Sequence, residues 1–220
     1  MEIDDLLDDE DGSSQGSIAD PLEGLNRKIF GFNNFVYKKV VNPFTRQYAR
    51  VVPKEARKGV HNFFNNLEYP IRFTGNVLQF KFGRATQETG KFLVNSTVGI
   101  GGLLEITKGD PALDVPKEDI GQAFGSWGID HGFYIVIPLL GPSSFRDFVG
   151  RFGGNAVDPI SEPWSHVDDS QDRIILKATD TINNFPEIID FYNSITDSTI
   201  DPYAAIRDGY TQYRANQVKE

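Results

Sequence analysis

Apolar positions in this chain recur mostly at spacings of three and four, the period of one helix face, and only one short stretch carries a β-branched run instead. From Asp20 to about Val41 the residues Leu22, Leu25, Ile29, Phe32 and Val36 form such a stripe. Asp20 is placed to cap this helix, Pro21 to occupy its first position and Glu23 to meet the helix dipole. Phe30, Phe35, Tyr37 and Val40 add apolar surface elsewhere around the axis, as in a helix central to a core or one turned partly toward a bilayer; the pattern admits both. Asn33 and Asn34 sit among these aromatics, where their amides need either neighbouring helices or a wet path as partners.

Pro43, Pro53 and Pro70 divide the next stretch into short helices. One opens at Pro53 with Glu55. Its narrow face is Val60, Phe63, Phe64 and Leu67, with Arg57, Lys58 and Asn62 outside and Asn65 and Asn66 at its end. Ile71 to Phe82 is rich in aromatics, with Arg72 and Lys81 placed to snorkel from its ends. A helix is then expected from Arg84 to Leu104. Further on, Gly150, Gly153 and Gly154 read as a flexible joint, and an acidic helix start at 168–172 precedes a buried side made of Ile174, Ile175, Ala178 and Ile182. Asp201 and Pro202 begin the last helix, with Tyr203, Ile206, Tyr210 and Tyr213 as its stripe.

The stretch Gly121 to Asp147, GQAFGSWGIDHGFYIVIPLLGPSSFRD, breaks this helical pattern. Gly121, Gly125, Gly128 and Gly132 either let a helix approach another backbone closely or supply turns at positive φ. The run Ile135 to Ile137 favours strand. Pro138 removes a ladder donor, so an edge strand or hairpin arm is predicted, followed by a helix capped by Ser143 and Ser144 near Arg146.

Composition narrows the class. No uncharged run reaches the ~20 apolar residues of a spanning helix, while a helix lying in a bilayer stays open. The chain has no cysteine, which removes disulfides, thiolate metal sites and a cysteine nucleophile. The net charge of −9 is unevenly spread: residues 1–20 hold eight acids and no base, whereas 27–91 hold thirteen bases and three acids. That basic half suits anionic headgroups, an acidic partner surface, or pairing with the acidic half of the same chain. Nucleic acid fits poorly, because the whole chain is acidic and its bases form no cluster interleaved with aromatics. Residues 1–19, acidic and poor in aromatics, read as a disordered tether, and 20–220 as one mostly helical domain.

Candidate chemistry is sparse. His61 and His166 stand alone, and Asp130 beside His131 would diverge in a strand. FGSWG lacks the first glycine of a nucleophile elbow, since Phe124 occupies that place. Gly99, Gly101 and Gly102 do not complete a dinucleotide fingerprint, because Leu104 stands at its last glycine.

The blocks FGSWG and GFYIVIPLLGPSSFRD, with DPLEGLNRKIFGFNNFVY near the front and DPYAAIRDGYTQYR near the end, resemble in order the MlaA/VacJ family of outer-membrane lipoproteins, over Asp20 to Arg214. The resemblance implies a mostly α, ring-like (donut) domain with one short irregular hairpin, monotopic in the inner leaflet of the Gram-negative outer membrane and pierced by an amphipathic channel. It implies intermembrane phospholipid transport, in which mislocated outer-leaflet glycerophospholipid passes through the channel to a periplasmic MlaC-like carrier, beside a trimeric porin. No catalytic residue, metal or cofactor is implied. Its channel and gating segments correspond to Ile29, Phe32, Asn33, Asn34 and Phe35, and to Trp127, Phe133, Tyr134, Ile135, Val136, Ile137, Leu139 and Leu140. An acylated N-terminal cysteine is also implied, so this sequence then reads as the mature body with Met1 in the anchor's place. A porin-associated scaffold that moves no lipid is the alternative, and a lipid hydrolase a third.

Overall fold

The computed structural model describes residues 18–161 and 169–219. The proposed tether up to residue 17, and His166, lie outside them. Ile18 and Ala19, assigned above to the tether, belong to the folded body: Ile18 is buried, and the Ala19 carbonyl accepts from the Tyr134 amide at 2.9 Å.

The first helix, α1 (Glu23–Val36), runs through a π-helical turn (Tyr37–Val41) directly into α2 (Asn42–Val51). Asp20 does not cap it. Its carboxylate instead accepts from Asn26 and Tyr203, and α1 starts later than predicted. Pro43 does not break the rod either, because the preceding turn is widened, with the Asn42 amide reaching back five residues to the Tyr37 carbonyl. Helices α3 (Lys54–Leu67), α4 (Tyr69–Leu78) and α5 (Phe82–Thr97) follow. The helix predicted to reach Leu104 stops at Thr97, where Ile100, Gly101 and Gly102 take positive φ and the amides of Gly101 and Gly102 close onto the carbonyls of Ser96 and Asn95.

Next come α6 (Ile120–Ser126), an antiparallel hairpin of β1 (Tyr134–Ile137) and β2 (Gly141–Ser144), and α7 (Phe145–Asn155), capped by Ser144, whose hydroxyl accepts from the Asp147 amide. The central glycines serve both predicted purposes: Gly121 and Gly125 lie within α6, whereas Gly128 and Gly132 turn the chain at φ of 82° and 70°. Gly150, Gly153 and Gly154 are no joint. They lie inside α7, where a Cβ on Gly150 would stand 2.6 Å from the Gly121 amide nitrogen. Gly150→Ala is therefore expected to force α6 and α7 apart and to cost about 1–3 kcal/mol by overpacking, read as a lowered midpoint in chemical denaturation.

Helix α8 (Ser170–Ser198), capped by Asp169, and α9 (Pro202–Lys219), whose first amides donate to Asp201, complete the chain. Among the described residues, no helix is long and apolar enough to cross a membrane. Helix α3 packs on α4, α4 on α6, α6 on α9, α9 on α8 and α8 on α3, so the contacts close a circuit.

Polarity across this body runs opposite to that of a water-soluble domain. Among the described residues, nine hydrophobic side chains are buried against twenty-one polar or charged ones, while twenty-nine large hydrophobic side chains are exposed. This inversion explains why parts of the apolar stripes face outward, although Ile29, Phe64, Tyr203 and Tyr210 pack inward. On α1, Leu22, Leu25 and Phe32 point out and Asn26 and Asn33 are buried; on α8, Ile174, Ile175 and Ala178 are exposed and Asn183, Pro186 and Ile189 are buried; on α9, Tyr213 is exposed and Arg214 buried. Asn62 and Arg72, read as outward, are buried as well. The small apolar core of Ile18, Tyr134, Val136 and Tyr203, joined by Ile29, Phe30 and Tyr210, ties the hairpin to α1 and α9.

Candidate functional site

The hairpin is held to α1 by two asparagines seven residues apart, hence two turns apart on one face. Asn26 donates to the Tyr134 carbonyl at 3.0 Å and accepts from the Val136 amide at 2.9 Å, so its carboxamide pairs with the edge of β1 as a neighbouring strand would. Asn33 does the same at the turn, donating to the Ile137 carbonyl at 3.0 Å and accepting from the Leu139 amide at 2.8 Å. Tyr37, in the π-helical turn, donates to the Leu139 carbonyl at 2.7 Å. Leu139 sits at φ 63°, a left-handed conformation unfavourable for a branched side chain, and both of its backbone polar groups are gripped from the helix. Leu139 and Leu140 project from the tip, both more than half exposed.

The helix circuit lines two cavities, neither of which includes a residue of this clamp. One, of about 320 Å³, is bounded by Arg72 of α4, Lys117, Glu118 and Asp119 ahead of α6, and Tyr213 and Arg214 of α9. The other, of about 280 Å³, is bounded by Phe64 and Leu67 of α3, Asp158 beyond α7, and Lys177 and Asp180 of α8. Glu68 and Ile71 line both. The Glu68 side chain is half exposed, yet desolvation raises its carboxyl above the usual range against the pull of Lys117 and Arg72. Desolvation likewise lowers Lys117 and raises Asp180. Groups that solvent reaches but hydrates poorly are what a narrow, crowded recess produces.

The cavity walls are braced by buried ion pairs. Arg214 forks onto Asp147 at 2.8 and 3.0 Å and onto Asp119 at 2.8 and 3.1 Å. Burial alone would raise Asp147, but hydrogen bonds from Arg214 and Tyr210 outweigh it and hold that carboxyl far below the usual carboxylate range. Glu118, fully buried, accepts from Gln79, Lys81 and Arg84, and Glu88, also fully buried, accepts from Arg72 at 3.0 Å. Lys81 and Arg72 thus reach inward to carboxylates rather than outward. Buried asparagines complete the frame: Asn95 accepts from the amides of Ile106 and Thr107, Asn66 donates to Ser96, and Asn183 donates to the Arg57 carbonyl.

The residues singled out from sequence therefore fall into separate places. Asn33 clamps the turn, and Asn34 accepts from Tyr192 at 3.4 Å. Phe32 and Phe35 face outward, and Ile29 packs on the small core with Tyr134 and Val136. Ile135 and Ile137 are half-buried, and Phe133 stacks on Phe145 at 5.2 Å. Trp127, half exposed, donates its indole N–H to the Leu78 carbonyl at 2.8 Å. Asn26, Tyr37, Glu68 and Arg214 were not singled out; for Asn26 the seven-residue offset from Asn33 was a usable signal, and for the others none was.

A family model described as MlaA lipoprotein matches residues 18–217. The intermembrane phospholipid transport system lipoprotein MlaA of Escherichia coli (strain K12) is 28% identical over 204 residues, covering 91% of this chain and 79% of that protein. An uncharacterized protein of Rickettsia bellii is 27% identical over 222 residues, covering 99% of this chain and 85% of its own length. A solved structure described as the structural basis for maintenance of bacterial outer membrane lipid asymmetry is similar with a TM-score of 0.75 at 26% identity, covering 91% of this chain and 99% of the other.

Proposed function

Because this chain belongs to the MlaA lipoprotein family, we propose that it carries phospholipid between the membranes of a Gram-negative envelope, lying in the outer membrane without spanning it as a helix. The inverted polarity supports this reading most directly: exposed Phe, Leu, Ile and Val side chains surround a closed helix circuit whose interior is built from asparagines and ion pairs. An apolar rim is stable in hydrocarbon, while a polar interior offers a phospholipid headgroup partners along a path it would otherwise cross unsolvated. The recess around Glu68, Lys117 and Asp180 is where a zwitterionic or anionic headgroup meets both signs of charge. Acyl chains stay against the apolar rim. No bond forms or breaks, so the work is done by desolvation, hydrogen bonding and shape.

In the finer reading the lipid comes from the outer leaflet, leaves to a soluble periplasmic carrier, and passes a tip formed by Leu139 and Leu140, with a trimeric porin as the neighbour in the membrane. The grip of Asn33 and Tyr37 on Leu139 supports a gating part for that tip. The test is transfer: the protein in nanodiscs loaded with labelled phosphatidylethanolamine is expected to retain lipid through purification and release it to added carrier. A well-folded sample that holds none and passes none overturns the reading. Free fatty acid appearing in the same assay favours a hydrolase.

A further inference from the structure

A further groove lies on the surface, sharing no lining residue with either cavity. Across the π-helical turn and α2, Lys38, Lys39, Asn42, Arg46, Gln47 and Arg50 line a groove of about 400 Å³ that contains no carboxylate. Lys38 is paired with Asp197 at 2.7 Å, but among the described residues Arg50 reaches only Gln47, at 3.4 Å. Among the described residues, three exposed cations, Lys39, Arg46 and Arg50, thus share one concave surface without a neutralising acid. Uncompensated, such charges repel one another, and an anion placed among them relieves that repulsion.

What kind of anion follows from the neighbouring side chains. Val40, Phe44 and Val51 are each more than half exposed on the same rod, so an apolar strip runs alongside the cationic groove. A free anion in water leaves that strip bare. An amphiphile satisfies both, its charged head in the groove and its chains continuing along the strip, as for an amphipathic helix seated at a membrane interface. Two arginines favour phosphate in particular, because each guanidinium offers a planar pair of N–H donors. We propose that this groove seats the phosphate-bearing headgroup of an anionic glycerophospholipid in the host bilayer, fixing the depth and orientation of the α1–α2 rod. The inference rests on the membrane placement proposed above but not on transport.

The test is co-flotation of the full chain with vesicles of phosphatidylethanolamine alone or with one-fifth phosphatidylglycerol. The parent is expected to bind the anionic vesicles more tightly, with the preference shrinking as salt rises. The triple variant Lys39→Gln, Arg46→Gln and Arg50→Gln is expected to lose about a hundredfold of that preference at low salt, roughly fivefold per charge, while binding pure phosphatidylethanolamine vesicles as the parent does. These residues are exposed, and an unchanged thermal midpoint excludes misfolding as the cause. A parent with no preference, or a triple variant that keeps it, overturns the inference and leaves transport standing. A parent that binds neither vesicle removes the membrane placement, and the inference with it. A parent that holds inorganic phosphate at constant ionic strength but shows no vesicle preference marks a soluble-anion site and overturns the lipid assignment.

Discussion

Arg214→Met is expected to lower the unfolding free energy at pH 7 by about 3–5 kcal/mol, the penalty typical of removing one partner from a buried ion pair. The substitution keeps much of the side-chain volume but deletes five hydrogen bonds, one of them to Gln217, and leaves Asp147 buried without its main counter-charge. Asp119 is spared much of this, since its side chain is 43% exposed and water can replace the guanidinium. The pH dependence identifies the cause. In the parent the folded carboxyl of Asp147 lies below its unfolded value near 4, so its stabilisation is fully present above about pH 4 and is lost only as pH falls through the folded value. In the variant only Arg146 and Tyr210 still oppose burial, so the carboxyl rises from its parent position toward the unfolded one and acidification costs the variant less than the parent. The gap between parent and variant should therefore narrow as pH falls below about 4 in urea titrations, and a gap that stays constant there would assign the loss to packing instead. Adding Asp147→Leu to Arg214→Met should not recover the loss, because it strands the buried Arg146 guanidinium, which pairs with Asp147 at 3.0 Å.

What was legible in the sequence divides along a physical line. Much of the local chemistry read true: Ser144 caps α7, Asp201 caps α9, Pro53 precedes α3, and Pro138 marks a hairpin turn, because each depends on neighbours in the chain, whereas Asp20 caps no helix and Pro43 breaks none. Helix facing read true only in part. The inference that an apolar stripe points inward assumes water outside, and here Leu25, Phe32, Ile174 and Ile175 point outward because the interior is polar. The same inversion made Arg72 and Lys81 look like snorkelling residues, when their partners, Glu88 and Glu118, lie sixteen and thirty-seven residues away in sequence. Arg214 was unreadable for a related reason: Asp147 and Asp119 are sixty-seven and ninety-five residues distant, and no spacing rule reaches so far. Asn33 drew attention as an amide among aromatics, whereas its role needed the hairpin to be in place.

Asn33→Ala should release the hairpin tip while leaving the rest of β1 attached. Removing the carboxamide strands the Leu139 amide, at a penalty of about 1–3 kcal/mol where water does not replace the bond, whereas the Ile137 carbonyl keeps the Leu140 amide at 3.2 Å. The free energy holding the tip closed then falls by roughly 1–3 kcal/mol, which speeds hydrogen exchange at the Leu139 amide by roughly fivefold to about a hundredfold. Global stability should change much less, because Asn26 still pairs with Tyr134 and Val136 two turns away. Leu139→Gly supplies the comparison. It removes about 1–2 kcal/mol of left-handed strain and shortens the apolar tip, yet keeps both backbone groups that Asn33 and Tyr37 hold, so its exchange should stay slow. If the tip gates a lipid path, Asn33→Ala should raise phospholipid release from loaded nanodiscs with partner binding intact, and Leu139→Gly should not raise it through loss of the clamp. A scaffold that moves no lipid would show the same exchange difference and no change in release. Unchanged exchange at Leu139 in Asn33→Ala would mean that Tyr37 and the strand pairing hold the turn unaided, and the asparagine clamp would then have no part in any gate.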